Sequence, residues 1–268
     1  MQAITVAGAG AGTTLHVAES GPSDGPALVF SNSLGTDFRI WDALLPHLPA
    51  GLRIIRYDKR GHGLSDCPPQ PWGMGDHVAD LAGVLDVLGV NSAVVCGLSV
   101  GGMIAQGLAA ERPDLVSALI LCDTGAKIGN PEMWNARITA VEEGGIAVLA
   151  DAILERWFTK RFRDQDPALP LWRNMLLRTA AAGYGGTCAA IRDADLVEST
   201  SRLRLPCLAV CGAEDGATPP DLVRETASLI PGSRFELIRR AGHLPCIEQP
   251  EVLGRLIGGF LNQTGVEV

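Results

Sequence analysis

The apolar positions of this chain fall into short runs separated by longer amphipathic stretches. Ala27–Ser31 (ALVFS), Leu52–Asp58 (LRIIRYD), Ala93–Gly97 (AVVCG), Val116–Cys122, Pro206–Gly212 (PCLAVCG) and Arg234–Ile238 have strand length, without strict polar alternation. Between or after them, Trp41–Leu48, Asp76–Leu88, Val100–Glu111, Pro219–Ile230 and Glu248–Leu261 read as helices. Strands that bury both faces lose the in–out alternation, and parallel strands need helical crossovers. The pattern therefore predicts an α/β fold, with a mostly parallel central sheet and helices on both faces. Gln2–Val6 and Thr13–Ser20 are expected to precede it as two short strands joined by the turn Ala7–Gly12. Gly8, Gly10 and Gly12 do not fit GxGxxG, so no dinucleotide site is expected there.

The alternation stops after Thr124. Trp134–Glu143, Ile146–Phe158, Pro170–Ala182 and Tyr184–Asp195 read as helices, with no strand between them. A stretch of about seventy residues is long for one crossover. It predicts a helical lid inserted at 127–195, carried by a core made of 1–126 and 196–268.

With 268 residues, 47 % of them hydrophobic, the chain can bury one large core with a small inserted subdomain. The net charge of −8 and the lack of any Lys/Arg-rich run argue against a nucleic-acid partner. An anionic substrate would need a local cation against that overall field. No segment reaches about 18 consecutive apolar residues, so no membrane helix is expected. Met1–Val6 holds no basic segment leading into a long apolar one. A soluble, cytoplasmic protein is expected, as monomer or homodimer. The seven cysteines are odd in number and include no CxxC, which predicts neither a disulfide framework nor a zinc site. Cys246 alone among them follows a histidine of interest closely.

Gly97-Leu98-Ser99-Val100-Gly101-Gly102 follows one predicted strand and opens one predicted helix. GxSxG in that context is the nucleophile elbow of serine hydrolases. Small residues let the chain turn sharply, and the helix N-terminus points free N–H groups at developing negative charge. A serine hydroxyl needs a base. Of five histidines, His243 lies just past the last strand and before the last helix, where a triad histidine belongs; His62, in Arg60-Gly61-His62-Gly63, is expected to structure its loop. The acid belongs on a strand-end loop between Ser99 and His243. Asp215, after Pro206–Cys211, is favoured, ahead of Asp123 and Glu214. The oxyanion hole is expected from the backbone N–H groups of Val100 and Leu34.

These stretches resemble the α/β-hydrolases, and within them the 3-oxoadipate enol-lactonases. The resemblance covers nearly the whole chain. It is carried by Ser31-Asn32-Ser33-Leu34-Gly35-Thr36, Tyr57-Asp58-Lys59-Arg60-Gly61-His62-Gly63-Leu64-Ser65, the elbow through Gly107, Ala189-Ala190-Ile191-Arg192-Asp193, and Ala241-Gly242-His243 with Glu248-Gln249-Pro250. Many α/β-hydrolases have His-Gly where this chain has Asn32-Ser33. The resemblance implies hydrolysis of a small anionic enol-lactone to 3-oxoadipate through an acyl-enzyme, with no metal or organic cofactor. Its free carboxylate would need a cation, for which Arg192 is the candidate, and Trp134 would wall the pocket. A carboxylesterase, a C–C bond hydrolase or a cofactor-free perhydrolase would use the same triad.

Overall fold

The apolar runs assemble into one eight-stranded sheet: β1 (Gln2–Val6), β2 (Thr13–Ser20), β3 (Ala27–Ser31), β4 (Arg53–Tyr57), β5 (Ala93–Leu98), β6 (Val116–Cys122), β7 (Cys207–Gly212) and β8 (Arg234–Ile238). The structure, a computed structural model, describes residues 2–7 and 12–265; Gly8 and Gly10 of the predicted turn lie outside them. The strand order is β1-β2-β4-β3-β5-β6-β7-β8. Only β2 runs against its neighbours; the ladders from β4 to β8 are parallel. Every residue of β5 and β7 is buried, which is why neither alternates in sequence, whereas β2 alternates buried and half-buried positions near the sheet edge.

Helices α1 (Met74–Val87) and α2 (Val100–Glu111) flank the first half of the sheet. Between β6 and β7 come α3 (Pro131–Gly144), α4 (Ala150–Trp157), α5 (Lys160–Gln165), α6 (Leu169–Leu177), α7 (Ala181–Asp193) and α8 (Val197–Ser201). Helices α9 (Pro220–Ser228), α10 (Pro245–Glu248) and α11 (Pro250–Gln263) complete the chain. No helix among the described residues is long and apolar enough to cross a membrane.

Several local expectations change, among them the helix Ile146–Phe158, which opens as a 3-10 turn at Ile146–Leu149 before α4. Trp41–Leu48 forms no α-helix, only 3-10 turns at Phe38–Trp41 and Leu45–His47. Pro46 has no N–H to give, and Asp37 spends its side chain capping the first turn at Arg39. The predicted helix Pro170–Ala182 breaks after Leu177, where Thr179 donates to the carbonyls of Gly35 and Met175, and α7 starts at Ala181, ahead of Tyr184. Helices α5 and α8, of 6 and 5 residues, are too short to show a 3.6-residue period in sequence.

The switch in chain direction across the sheet places the site. From β3 the chain moves outward to β4 and then returns to β5 on the other side of β3. Parallel sheets open a crevice at the carboxyl ends of the strands flanking such a switch. Ser31 pairs with Gly97 at that end, so the loops leaving β3 and β5 emerge side by side.

Helix α7 is seated on the loop after β4 through glycine. A Cβ on Gly183 would stand 2.1 Å from the carbonyl oxygen of Gly61. Helix propensity alone would make Gly183→Ala stabilising by about 1 kcal/mol. The contact dictates the opposite sign: Gly183→Ala is expected to destabilise by about 1–3 kcal/mol. The readout is thermal unfolding, with Tm falling by about 2–4 °C per kcal/mol lost.

Candidate active site

The turn from β5 into α2 is tight enough to force one residue out of the ordinary backbone regions. Ser99 has φ 59° and ψ −121°. Its N–H donates to the Cys122 carbonyl at 3.0 Å, and its own carbonyl accepts from the Thr124 hydroxyl at 2.5 Å and from the N–H groups of Gly102 and Met103. A Cβ on Gly97 would lie 2.2 Å from the Gly101 carbonyl, and one on Gly101 2.0 Å from that of Ser31. Strand, helix and the β3 loop therefore touch backbone to backbone, and the strain at Ser99 is held by its surroundings. Ser99 faces a cavity that His243, Ser33 and Leu34 also line.

The loop after β7 supplies Asp215. Its Oδ1 accepts from the N–H groups of Ala217 and Thr218 at 2.7 and 3.1 Å. His243 Nδ1 lies 2.9 Å from Asp215 Oδ2, with both side chains out of solvent. A carboxylate can only accept, so Nδ1 carries the proton and Nε2 is left as an acceptor. Burial pushes the Asp215 carboxyl up, but its interaction with His243 and the hydrogen bonds from Ala217 and Thr218 outweigh that and hold it below the usual range. The Thr218 hydroxyl sits 2.7 Å from Asp215 Oδ2 and 3.2 Å from His243 Nδ1. His243 Nε2 lies 3.3 Å from the Ser33 hydroxyl, which can donate to it.

His243 is anchored through its backbone to the inserted helices. Its N–H donates to the Trp157 carbonyl at 2.8 Å. Glu248 Oε1 accepts from Gly242 N–H at 2.8 Å, and Oε2 from the Thr159 hydroxyl at 2.6 Å. One carboxylate thus ties the histidine loop to the start of α5.

Asp123 occupies a different place. It follows β6 directly, with φ 47°, and its Oδ1 accepts from Gly212 N–H at 2.7 Å. Oδ2 is buried without a partner among the described residues. Asp123, Cys211 and Asp215 bring side-chain heteroatoms within 4.8 Å of one another. Burial first, then the neighbouring Asp215, raise the Asp123 carboxyl well above its ordinary value, so it is held neutral. Glu214 is exposed.

The β3 loop is propped from below. Asn32 donates to the Tyr57 carbonyl at 2.8 Å and accepts from the Trp41 indole at 2.7 Å. His62 Nε2 accepts from Gly35 N–H at 3.0 Å, and Nδ1 donates to the Arg60 carbonyl at 3.1 Å. Burial holds His62 well below its usual pKa, so it is neutral.

The remaining cavity wall comes mainly from α3, α4 and α7. Trp134 lines it, donating its indole N–H to the Ile128 carbonyl at 2.7 Å. Arg192 does not line it: its guanidinium forks onto Asp193 at 2.7 Å and reaches Asn135 at 2.8 Å. Two other arginines, Arg137 and Arg156, do line the cavity and form no ion pair among the described residues. Arg137 lies 5.2 Å over the Trp134 ring, and the charges of both arginines bear on the buried Tyr184 hydroxyl. Arg137 was findable in sequence, because it follows Trp134 by three positions and so shares its helix face. Arg156 carried no such signal; its position depends on where α4 is docked.

Asp123 sets a pH dependence of stability. Its unfolded carboxyl ionises near 3.8, while the folded one stays protonated well above that. Between the unfolded and the folded pKa the folded state binds one more proton, so stability is lost as pH rises above about 4. Asn cannot ionise and keeps the acceptor for Gly212. Asp123→Asn is expected to raise Tm at neutral pH, with the gain shrinking toward about pH 3. Thermal melts across that range are the check; a pH-independent difference is the contrary outcome.

Residues 28–256 match the model of the alpha/beta hydrolase family. Two curated relatives from Acinetobacter baylyi, 3-oxoadipate enol-lactonases 1 and 2, are 35 % and 33 % identical, over 93 % of this chain and 94 % and 93 % of theirs. The crystal structure of the enol-lactonase from Burkholderia xenovorans LB400 superposes with a TM-score of 0.90 at 36 % identity, covering 93 % of this chain and 97 % of that one. The chain belongs to the alpha/beta hydrolase family, and its relatives there include the 3-oxoadipate enol-lactonases.

Proposed function

We propose that this protein hydrolyses 3-oxoadipate enol-lactone, a small lactone bearing a carboxylate arm, to 3-oxoadipate. The observation that carries the proposal is the composition of one cavity: the elbow serine and His243 share it with Arg137 and Arg156. Guanidinium forks match carboxylates, and two of them offset the repulsion that a chain of net charge −8 exerts on an anion. The lactonase names of the relatives point to the same substrate.

In this scheme Ser99 attacks the ring carbonyl as its proton passes to His243 Nε2. Asp215 fixes the ring and stabilises the imidazolium. The N–H groups of Leu34 and Val100 receive the oxyanion. Collapse of the tetrahedral adduct expels an enolate, a better leaving group than an alkoxide, which takes the proton held on His243 Nε2 and ketonises. His243 then removes a proton from water, which attacks the acyl-Ser99 ester and releases the diacid. Trp134 and the apolar wall exclude bulk water around the ring. The inserted segment 127–195 acts as the lid that supplies both arginines.

The first test follows loss of enol-lactone absorbance on adding the purified protein. Turnover with kcat/KM of about 10⁵ M⁻¹s⁻¹ or more, abolished in Ser99→Ala, is expected. If the lactone survives while a neutral p-nitrophenyl ester is cleaved through Ser99, the hydrolase stands and the substrate falls. Asp215→Asn is expected to lower kcat by about 10³–10⁴-fold. Loss of one charged hydrogen bond predicts that Arg137→Ala and Arg156→Ala each raise KM for the lactone about 10-fold or more. The same substitutions should leave neutral ester cleavage little changed, and Arg192→Ala should affect neither substrate.

A further inference from the structure

Lys59 is a buried cation outside the proposed triad. It leaves the end of β4 in Asp58-Lys59-Arg60 and is 1 % exposed. Among the described residues its Nζ meets no carboxylate within ion-pair distance. Instead it donates to the Ser33 carbonyl at 2.5 Å and to that of Thr36 at 3.4 Å. The Thr36 hydroxyl donates to the same Ser33 oxygen at 2.8 Å. An ammonium so deprived of water is costly unless its site is built for it.

The Ser33 carbonyl and the Leu34 N–H belong to one peptide group. Leu34 lines the cavity beside Ser99, and no backbone acceptor takes its N–H among the described residues. Hydrogen bonds polarise one another through a peptide unit, and the effect grows in a low-dielectric interior. Positive charge on the carbonyl end makes the N–H end a stronger donor. It also fixes the peptide so that it cannot flip its carbonyl toward the oxyanion.

Taking the acyl-transfer chemistry proposed above as given, we propose that Lys59 is a positioning residue that locks and polarises the Ser33–Leu34 peptide. The Leu34 N–H then meets the oxyanion pre-aimed and strengthened. The groups facing Lys59 are Asp58 and Asp37, which favour its charge, and the neutral His62 and His77. Asp58 is engaged elsewhere, accepting from His16, Phe38 N–H and Leu64 N–H. Burial pulls the ammonium down to about 7, so its charge can be titrated within an accessible range.

The experiment compares wild type, Lys59→Met and Lys59→Gln, using a p-nitrophenyl ester and an arylboronic acid, which forms a tetrahedral adduct on a serine hydroxyl. Loss of one oxyanion donor costs about 10²–10³-fold in kcat, and loss of its polarisation alone about 10-fold. Lys59→Met is therefore expected to lower kcat about 10-fold or more with KM within about 3-fold, and to weaken boronate binding in parallel. Gln, which can donate without charge, should recover alignment but not polarisation and fall between. Wild-type boronate affinity should decline above neutral pH as Lys59 loses its proton, a limb that Lys59→Met lacks. The limb is read as the difference between wild type and the two Lys59 variants, because ionisation of the boronic acid itself shapes all three profiles alike; superposable profiles overturn the role. So does a Lys59→Met protein, folded by circular dichroism, with unchanged kcat or with loss confined to KM. A wild type that neither cleaves esters through Ser99 nor binds boronate refutes the hydrolase proposal instead.

Discussion

The structure turns on the tight passage from β5 into α2. A strand in the middle of a parallel sheet must leave its carboxyl edge and start a helix almost at once, and Ser99 takes φ 59° to do so. The turn closes only because Gly97 and Gly101 let backbone meet backbone, with the β3 loop against the same helix. That contact fixes how far Leu34 lies from Ser99, and the hydrogen bonds of Cys122 and Thr124 tie β6 to the same residue. Backbone strain at one residue is thus held by three strands and a helix, which is how such strain persists.

Around this turn, two carboxyl groups in nearly the same environment are driven to opposite states. Asp215 is charged because His243 and three further hydrogen-bond donors face it. Asp123, a few ångströms away, accepts one backbone N–H and is otherwise enclosed, so it stays neutral. If both were charged, their repulsion in a buried site would exceed what the imidazole could offset. The difference in hydrogen-bond supply, not in residue type, separates an orienting carboxylate from a buried acid.

Charge at the substrate end is arranged differently. The protein is acidic overall, yet the cavity wall carries Arg137 and Arg156 without partner carboxylates among the described residues, while most other arginines are paired on the surface. An anionic ligand in that cavity would meet both without first breaking an ion pair. Beneath the β3 loop, carbonyl dipoles take the place of a counter-ion for Lys59.

Much of this was written in local pattern. The eight strands, α2 and the helical insertion follow from periodicity and run length, because burial on both faces leaves a one-dimensional trace. The elbow and the late histidine were legible because backbone sterics and chain order demand glycine and histidine at those places. Asp215 over Asp123 was only a preference in sequence: both end parallel strands, and which one meets His243 depends on how the β7 and β8 loops fold together. Arg192 shows the limit most directly. It has the right chemistry on the right segment, but Asp193 and Asn135 claim its guanidinium, and helix packing brings Arg137 and Arg156 to the cavity wall instead. Sequence alone determined which side chains could do the chemistry. Tertiary structure decided which of them meet, because an ion pair or a cavity wall is set by distances between residues far apart along the chain.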